Sequence, residues 1–344
     1  MIKRKHILFL TPGFPKDEKD TRCIPAMHLM LSYLYSLDVV DISVIAFNYP
    51  YKASRYKWNG IDVHSLGGRN NKGIYKLLNW RKALRMSKSI NEGSPIHHVH
   101  SFWLNDCALV GNRIAKKLAI PHSCTLMGQD VLKSNRFFKR IQPLPQLITL
   151  SEYQNQQLFS NFSISPSLTI PWGIEEMSNS NDRSIDIIGV GNLNEVKNYS
   201  RFLSIIQLLV KKLPDLKVQL IGEGEEADKL NLLVNSLNLT NTVVFLGVKN
   251  REQTLAVMKK AKLLLHTANF ESFGMVFLEA QALGLKIVTT PVGIAPELNG
   301  CGTFQTVDEA ASLITEFLYN YRPEPSIRTY KVEDTVHSYL NNVF

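Results

Sequence analysis

The chain has 344 residues, 44% of them hydrophobic, and 39 Lys and Arg against 30 Asp and Glu give it a net charge of +9. That length is roughly twice a typical domain, so two domains with their own cores are expected. Four scattered cysteines, Cys23, Cys107, Cys124 and Cys301, lack Cys-x-x-Cys spacing, which argues against a zinc site and a disulfide framework and fits a reducing cytoplasm.

The basic start Lys3-Arg4-Lys5 leads into a short apolar run, residues 6–10, that stops at Thr11-Pro12-Gly13. The run is too short for a secretion signal and is expected to be a first buried strand and its turn. Further strands are expected at 41–47, 61–65, 96–100, 122–126, 146–150 and 168–170, with helices at 24–37, 73–90, 105–118 and 152–160. This alternation is that of a parallel sheet covered on both faces. The polar stretch 177–183 has little to bury and is expected to link two domains. Strands resume at 186–190, 217–221, 243–246, 262–266 and 286–290, and residues 332–343 have apolar positions at helical spacing. No apolar stretch approaches the roughly 20 residues of a membrane span.

Charge is divided unevenly. Residues 1–170 carry 23 Lys and Arg and 10 Asp and Glu, a balance of +13, and the remainder carries 16 and 20, a balance of −4. The first half is therefore expected either to meet something anionic, a lipid surface or lipid-linked acceptor, or simply to present a soluble basic face. Its basic clusters carry no nucleic-acid-binding motif, and nucleic acid is not expected as a partner.

Phe270-Glu271-Ser272-Phe273-Gly274-Met275-Val276-Phe277-Leu278-Glu279-Ala280 places two carboxylates eight positions apart around an expected helix start. The first N–H groups of such a helix have no internal partners and the macrodipole adds positive charge, so the turn from Ser272 to Met275 suits a phosphate oxygen. Glu279, one and a half turns on, is placed to take two ribose hydroxyls. Taken alone, the pattern equally fits a Glu271 that favours the dipole and a solvated Glu279.

Residues 243–298 resemble the donor-binding core of the family 4 glycosyltransferases: Phe245-Leu246-Gly247, Glu271-Ser272-Phe273-Gly274, Glu279-Ala280, Ala282-Leu283-Gly284, and Gly293 with Glu297 beyond. The resemblance implies a GT-B fold of α/β class, with two Rossmann-like doubly wound domains facing a central cleft. It further implies that residues 1–176 bind the acceptor, that 184–322 bind the sugar nucleotide, and that the last helix, within 323–344, crosses back to the first domain. On it, Glu271 approaches the transferred sugar, Gly274 and Met275 lend amides to the diphosphate with Ser272 and Phe273 beside them, Glu279 holds the ribose, and Leu246 lies where the base stacks.

The loop Gly189-Val190-Gly191-Asn192-Leu193-Asn194-Glu195-Val196-Lys197 is similar to the family's glycine-rich loop, and implies that Lys197 faces the leaving diphosphate. Asn192 stands where many relatives have Arg, so it donates a hydrogen bond without charge. In the first domain Gly13 is expected to allow backbone close to donor and acceptor. His98-Val99-His100-Ser101-Phe102-Trp103 and Thr125-Leu126-Met127-Gly128-Gln129-Asp130 resemble two further family turns, with Met127 where relatives often have a histidine. His100 is the catalytic candidate in its place, the alternative being a strand-end histidine satisfied by backbone, and Trp103, Asp130, Lys133 and Arg136 are candidates on the acceptor side.

The expected activity is transfer of a sugar from a UDP- or GDP-sugar to a hydroxyl of a glycan or lipid-linked acceptor, with retention, in cell-surface polysaccharide or glycolipid synthesis. No cofactor is expected beyond that donor, and no metal, since the chain has no Asp-x-Asp. A cytoplasmic protein, peripheral on the inner face of the plasma membrane, would suit such a role. A sugar-nucleotide 2-epimerase and a degenerate, non-catalytic binding subunit are the alternatives; a dehydrogenase lacks its Gly-x-Gly-x-x-Gly.

Overall fold

A computed structural model describes residues 4–20, 23–180 and 182–344. Lys3 of the basic start and Asn181 of the expected linker lie outside the described residues. The chain forms two compact units, one of residues 1–173 with 332–344 and one of residues 174–331.

The first unit is built on an eight-stranded sheet: β1 (Lys5–Gly13), β2 (Val40–Tyr49), β3 (Ser54–Trp58), β4 (Ile61–Ser65), β5 (His98–Phe102), β6 (His122–Thr125), β7 (Gln146–Thr149) and β8 (Leu168–Thr169). Their spatial order is β3-β4-β2-β1-β5-β6-β7-β8, and every pairing is parallel except β3 with β4. Ile7, Leu8, Phe9 and Leu10 are wholly buried, as a central strand covered on both faces requires. Helices α1 (Pro25–Ser36), α2 (Ile74–Gly93), α3 (Asp106–Leu118), α4 (Phe137–Arg140) and α5 (Glu152–Phe162) lie between the strands in sequence.

Two departures from the expected elements have local causes. β3 turns into β4 through Asn59 and Gly60, both at positive φ, which is the type of two-residue loop that Asn-Gly favours in hairpins. β5 begins two residues later than expected, because Ile96 precedes the paired region and the strand runs on to Phe102.

The closing helix, Val332–Asn342, belongs to the first unit. Its Tyr339 is wholly buried, with the hydroxyl 2.5 Å from Thr125 Oγ1, and Thr335 Oγ1 donates to the Pro171 carbonyl at 2.8 Å. The Phe344 ring then stands edge-on to Phe9 and His100.

The second unit holds a six-stranded, fully parallel sheet: β9 (Ile185–Val190), β10 (Val218–Ile221), β11 (Val243–Phe245), β12 (Ala261–His266), β13 (Lys286–Thr289) and β14 (Cys301–Thr303). Its order, β11-β10-β9-β12-β13-β14, is that of a dinucleotide-binding doubly wound sheet, with the switch point between β9 and β12. Helices α6 (Tyr199–Leu209), α7 (Ala227–Ser236), α8 (Arg251–Met258), α9 (Met275–Ala282) and α10 (Val307–Tyr319) accompany it. Phe202, Leu203 and Ile206 of α6 pack with Ile187, Leu220 and Leu263 of the sheet in one core; each such buried side chain contributes about 1.5–3 kcal/mol.

The polar stretch from Met177 onward lies inside this unit. Arg183 anchors it by donating to the carbonyls of Lys259 (3.1 Å), Ala261 (2.8 Å) and Leu283 (2.7 Å). Segment 323–331 is likewise held there, since Ile327 N donates to Gln281 O at 3.1 Å and Thr329 Oγ1 to Gln281 Oε1 at 2.5 Å. Among the described residues no helix is long and apolar enough to cross a membrane.

Candidate active site

Two loops leave the carboxyl ends of β9 and β12, the strands that flank the switch point of the second sheet, and they are stitched to each other. After β9, Asn194 accepts from the N–H of Lys197 and closes a 3-10 turn over Glu195–Lys197. Asn198 follows at φ 50° and caps α6 through Arg201 N. After β12, Thr267 Oγ1 lies 3.1 Å from the Lys197 carbonyl and 3.0 Å from that of Asn198, and Asn269 N donates to Val196 O at 2.8 Å.

This stitching brings Lys197 Nζ onto the carboxylate of Glu271, with which it forms an ion pair. His266, the last residue of β12, has Nε2 3.3 Å from the same oxygen, off the line of a well-directed hydrogen bond. Burial alone would raise the Glu271 pKa, but the Lys197 charge and the His266 ring outweigh it and bring the value down to about 2. Burial lowers the His266 pKa, with Glu271 opposing and Lys197 reinforcing the shift. At neutral pH the cluster is thus a carboxylate, an ammonium and a neutral imidazole.

Gly274, at φ 88°, turns the chain from Glu271 into α9. Phe277 N finds Gly274 O at 3.0 Å, while Met275 and Val276 occupy the positions whose N–H groups have no acceptor within a helix. Gly293 fixes this loop from β13's side: it sits at φ 59°, and a Cβ there would overlap the Phe273 carbonyl and lie 3.2 Å from Glu271 Cβ. Ser272 and Phe273 are buried.

Glu279, on α9, does not face solvent alone. Arg251, first residue of α8, places Nε 3.1 Å from Glu279 Oε1 and Nη1 2.6 Å from Glu175 Oε1. Burial raises the Glu279 pKa and Arg251 opposes that rise. A cation in the first turn of a helix runs against the dipole, so Arg251 is held there by its two carboxylates. Its Nη2 is buried with no hydrogen-bond partner. Arg251, His266 and Glu175 were not among the sequence candidates; the arginine next to the Asn250 capping box was the one available sign, since it opposes the dipole.

The remaining second-unit candidates line the same strand ends. Asn192 is exposed, and Leu246 at the end of β11 donates its N–H to Leu220 O at 2.8 Å. Gly222 packs its backbone on the Gly191 carbonyl, where any Cβ would overlap.

In the first unit the structure corrects two assignments, His100 and Asp130. His100 is wholly buried in the core, with Nδ1 2.7 Å from Ser123 Oγ, Nε2 3.1 Å from Thr125 Oγ1, and aromatic rings of Phe9, Phe102, Tyr339 and Phe344 around it. Burial, with His98 and His122 nearby, drives its pKa well down. It is a satisfied core histidine and presents no nitrogen to a substrate. Asp130 is also buried, and its Oδ2 accepts from Leu104 N at 3.1 Å and Met127 N at 3.0 Å, so it holds two loops in place. Burial raises its pKa to about 7 against those hydrogen bonds. Trp103, at φ 69°, is half-buried, and Lys133 and Arg136 are exposed. A Cβ at Gly13 would lie 3.3 Å from Cys23 Sγ, a tight contact.

Two doubly wound units, one with a lysine-carboxylate pair beside an open helix start at its switch point, have the architecture of the GT-B fold. Residues 173–324 match the family described as Glycosyl transferases group 1. The chain is similar to an uncharacterised glycosyltransferase of Methanocaldococcus jannaschii, 28% identical over 264 residues, 74% of this chain and 71% of the relative. The N-acetyl-alpha-D-glucosaminyl L-malate synthase of Bacillus anthracis is 30% identical over 52% of this chain and 42% of its own length. Other curated relatives are matched over about half their length, 56% and 52%. Among solved structures, Anabaena HepE in complex with UDP and glucose superposes with a TM-score of 0.74 at 16% identity, covering 98% of each chain, a likeness of fold.

Proposed function

We propose that this protein transfers a sugar from a nucleoside-diphosphate sugar to an acceptor hydroxyl. The observation that carries the reading is the Lys197–Glu271 pair beside the N-terminus of α9, at the switch point where doubly wound sheets take nucleotides. The diphosphate would accept from the Met275 and Val276 amides and take Lys197 as its counter-charge, and the ribose would meet Glu279. Departure of the diphosphate develops negative charge, which fixed amides and an ammonium stabilise more than they stabilise the ground state. Glu271 then meets the sugar hydroxyls, leaving Lys197 for the leaving group.

A uridine donor is favoured by the UDP complex of HepE. Retention of configuration and independence of a metal ion follow from the family 4 resemblance, with the acceptor side assigned to Trp103, Lys133 and Arg136 on the first unit. Incubation with a panel of UDP- and GDP-sugars, with diphosphate release followed with and without EDTA, tests the reading. Donor-dependent release that vanishes in Glu271→Ala is expected. An unchanged rate in that variant, or epimerised donor without any acceptor, would sink it.

A further inference from the structure

A helix face remote in sequence from the donor loops leaves four large apolar side chains in the open. Ile74, Tyr75, Leu77 and Leu78, in the first turns of α2, are 68%, 63%, 50% and 42% exposed. Single exposed apolar residues are ordinary on protein surfaces, but four within five positions form a patch.

Helical geometry, about 100° per residue, continues that patch into charge. Ile74, Leu77 and Leu78 share their side of α2 with Arg81, Arg85 and Lys88, with Lys82 flanking, and all four cations are exposed. Trp80, Ala83 and Ser87 form the opposite, buried side. Lys88 meets Glu92 at 3.5 Å, whereas Arg81, Lys82 and Arg85 make no ion pair among the described residues. The basic rim extends across to α4: Lys76 Nζ lies 5.7 Å and the Arg140 guanidinium 5.3 Å from the Phe137 ring, and Arg136, Lys139 and Arg140 are exposed.

We propose that the outer face of α2 docks on an anionic lipid bilayer, with Ile74, Tyr75, Leu77 and Leu78 at the acyl boundary and Arg81, Lys82, Arg85 and Lys88 among headgroup phosphates. An apolar tip with a basic shaft matches a helix lying in a membrane interface. Protein interfaces are depleted in lysine, and a nucleic acid offers nothing to four exposed apolar side chains. The +13 balance of residues 1–170 supplies the charge complementarity. Docking needs no donor, so it stands or falls separately from sugar transfer.

The test is co-sedimentation of the full chain with vesicles of phosphatidylglycerol and phosphatidylcholine in equal parts, or phosphatidylcholine alone, at low and high salt. Partition into the anionic vesicles is expected to be at least about tenfold stronger than into the neutral ones and to weaken with salt. The Ile74→Ser, Leu77→Ser, Leu78→Ser triple variant should lose about tenfold or more. The Arg81→Glu, Lys82→Glu, Arg85→Glu variant should lose the anionic preference, about fivefold for each charge. Both should melt as the parent does, because the substituted side chains are exposed. Equal partition into both vesicles, no partition at low salt, or a serine variant that binds like the parent overturns the proposal. So does a dimer in solution that the serine substitutions abolish without any vesicle binding, which would give the face to a second copy.

Discussion

Arg251 Nε lies 3.1 Å from Glu279 Oε1, so the carboxylate proposed to meet the ribose is held by a cation from a neighbouring helix and, through it, tied to Glu175. Arg251→Ala is expected to weaken sugar-nucleotide binding by about tenfold or more, since breaking a buried pair leaves an uncompensated charge. The sign with pH is definite. Burial already raises the Glu279 pKa, and losing Arg251 raises it further, so binding that needs the carboxylate is lost at a higher pH as the solution is acidified. Calorimetric titration with UDP between pH 5 and 8 checks this, and superimposable profiles for parent and variant would refute the coupling.

Lys197→Ala should lower turnover about 100- to 1000-fold, the usual loss when a group that stabilises developing charge is removed. Stability should fall too, by up to about 3 kcal/mol, because Glu271 loses the charge that holds its pKa down. Steady-state rates corrected for the folded fraction, set beside thermal melting, decide it; an unchanged kcat of the folded fraction would make Lys197 a structural residue.

Acid should loosen the second unit through Glu271. Its folded pKa of about 2 lies below the ordinary carboxylate value, so its contribution is complete above pH 5 and is lost as pH falls toward 2. That contribution is of order 3 kcal/mol at most. Glu271→Gln should therefore be less stable than the parent at pH 7, with the gap narrowed to about half by pH 3. Urea unfolding at both values measures it, and a gap independent of pH would show that the ion pair does not couple to folding.

Gly293→Ala should disturb the donor loop from outside it. At φ 59°, a methyl group overlapping the Phe273 carbonyl costs about 2–4 kcal/mol or moves the loop that carries Glu271. Lower melting temperature together with reduced turnover is expected; an unchanged rate would show that the loop does not depend on this contact.

His100→Leu separates a core role from a catalytic one. Two hydrogen bonds are lost, at a cost of about 1–3 kcal/mol, while the kcat of the folded fraction should stay within about twofold. A large fall in kcat with an unchanged melting temperature would restore His100 to the site.

Much of this architecture was legible in the residue pattern, because central strands such as Ile7-Leu8-Phe9-Leu10 are apolar on both faces and Gly274 and Gly293 sit where the backbone turns left-handed. The same double burial hid the fate of His100: where both faces of a strand are covered, alternation no longer says which side chain reaches solvent. Arg251 was not legible because its partners, Glu175 and Glu279, are distant in sequence and meet it only once α8 and α9 are placed. The β3 edge strand was overlooked for another reason. Its polar composition conceals a strand, although the Asn59-Gly60 turn beside it announces a hairpin.

The helix Val332–Asn342 completes a unit whose other residues end at Gly173. During synthesis the first half must therefore wait, with Thr125 and His100 lacking Tyr339 and Phe344, while the second unit is made in one continuous stretch and is free to fold earlier. The unit made earlier is the later to be finished, and its inner histidine is sealed only when Tyr339 and Phe344 arrive.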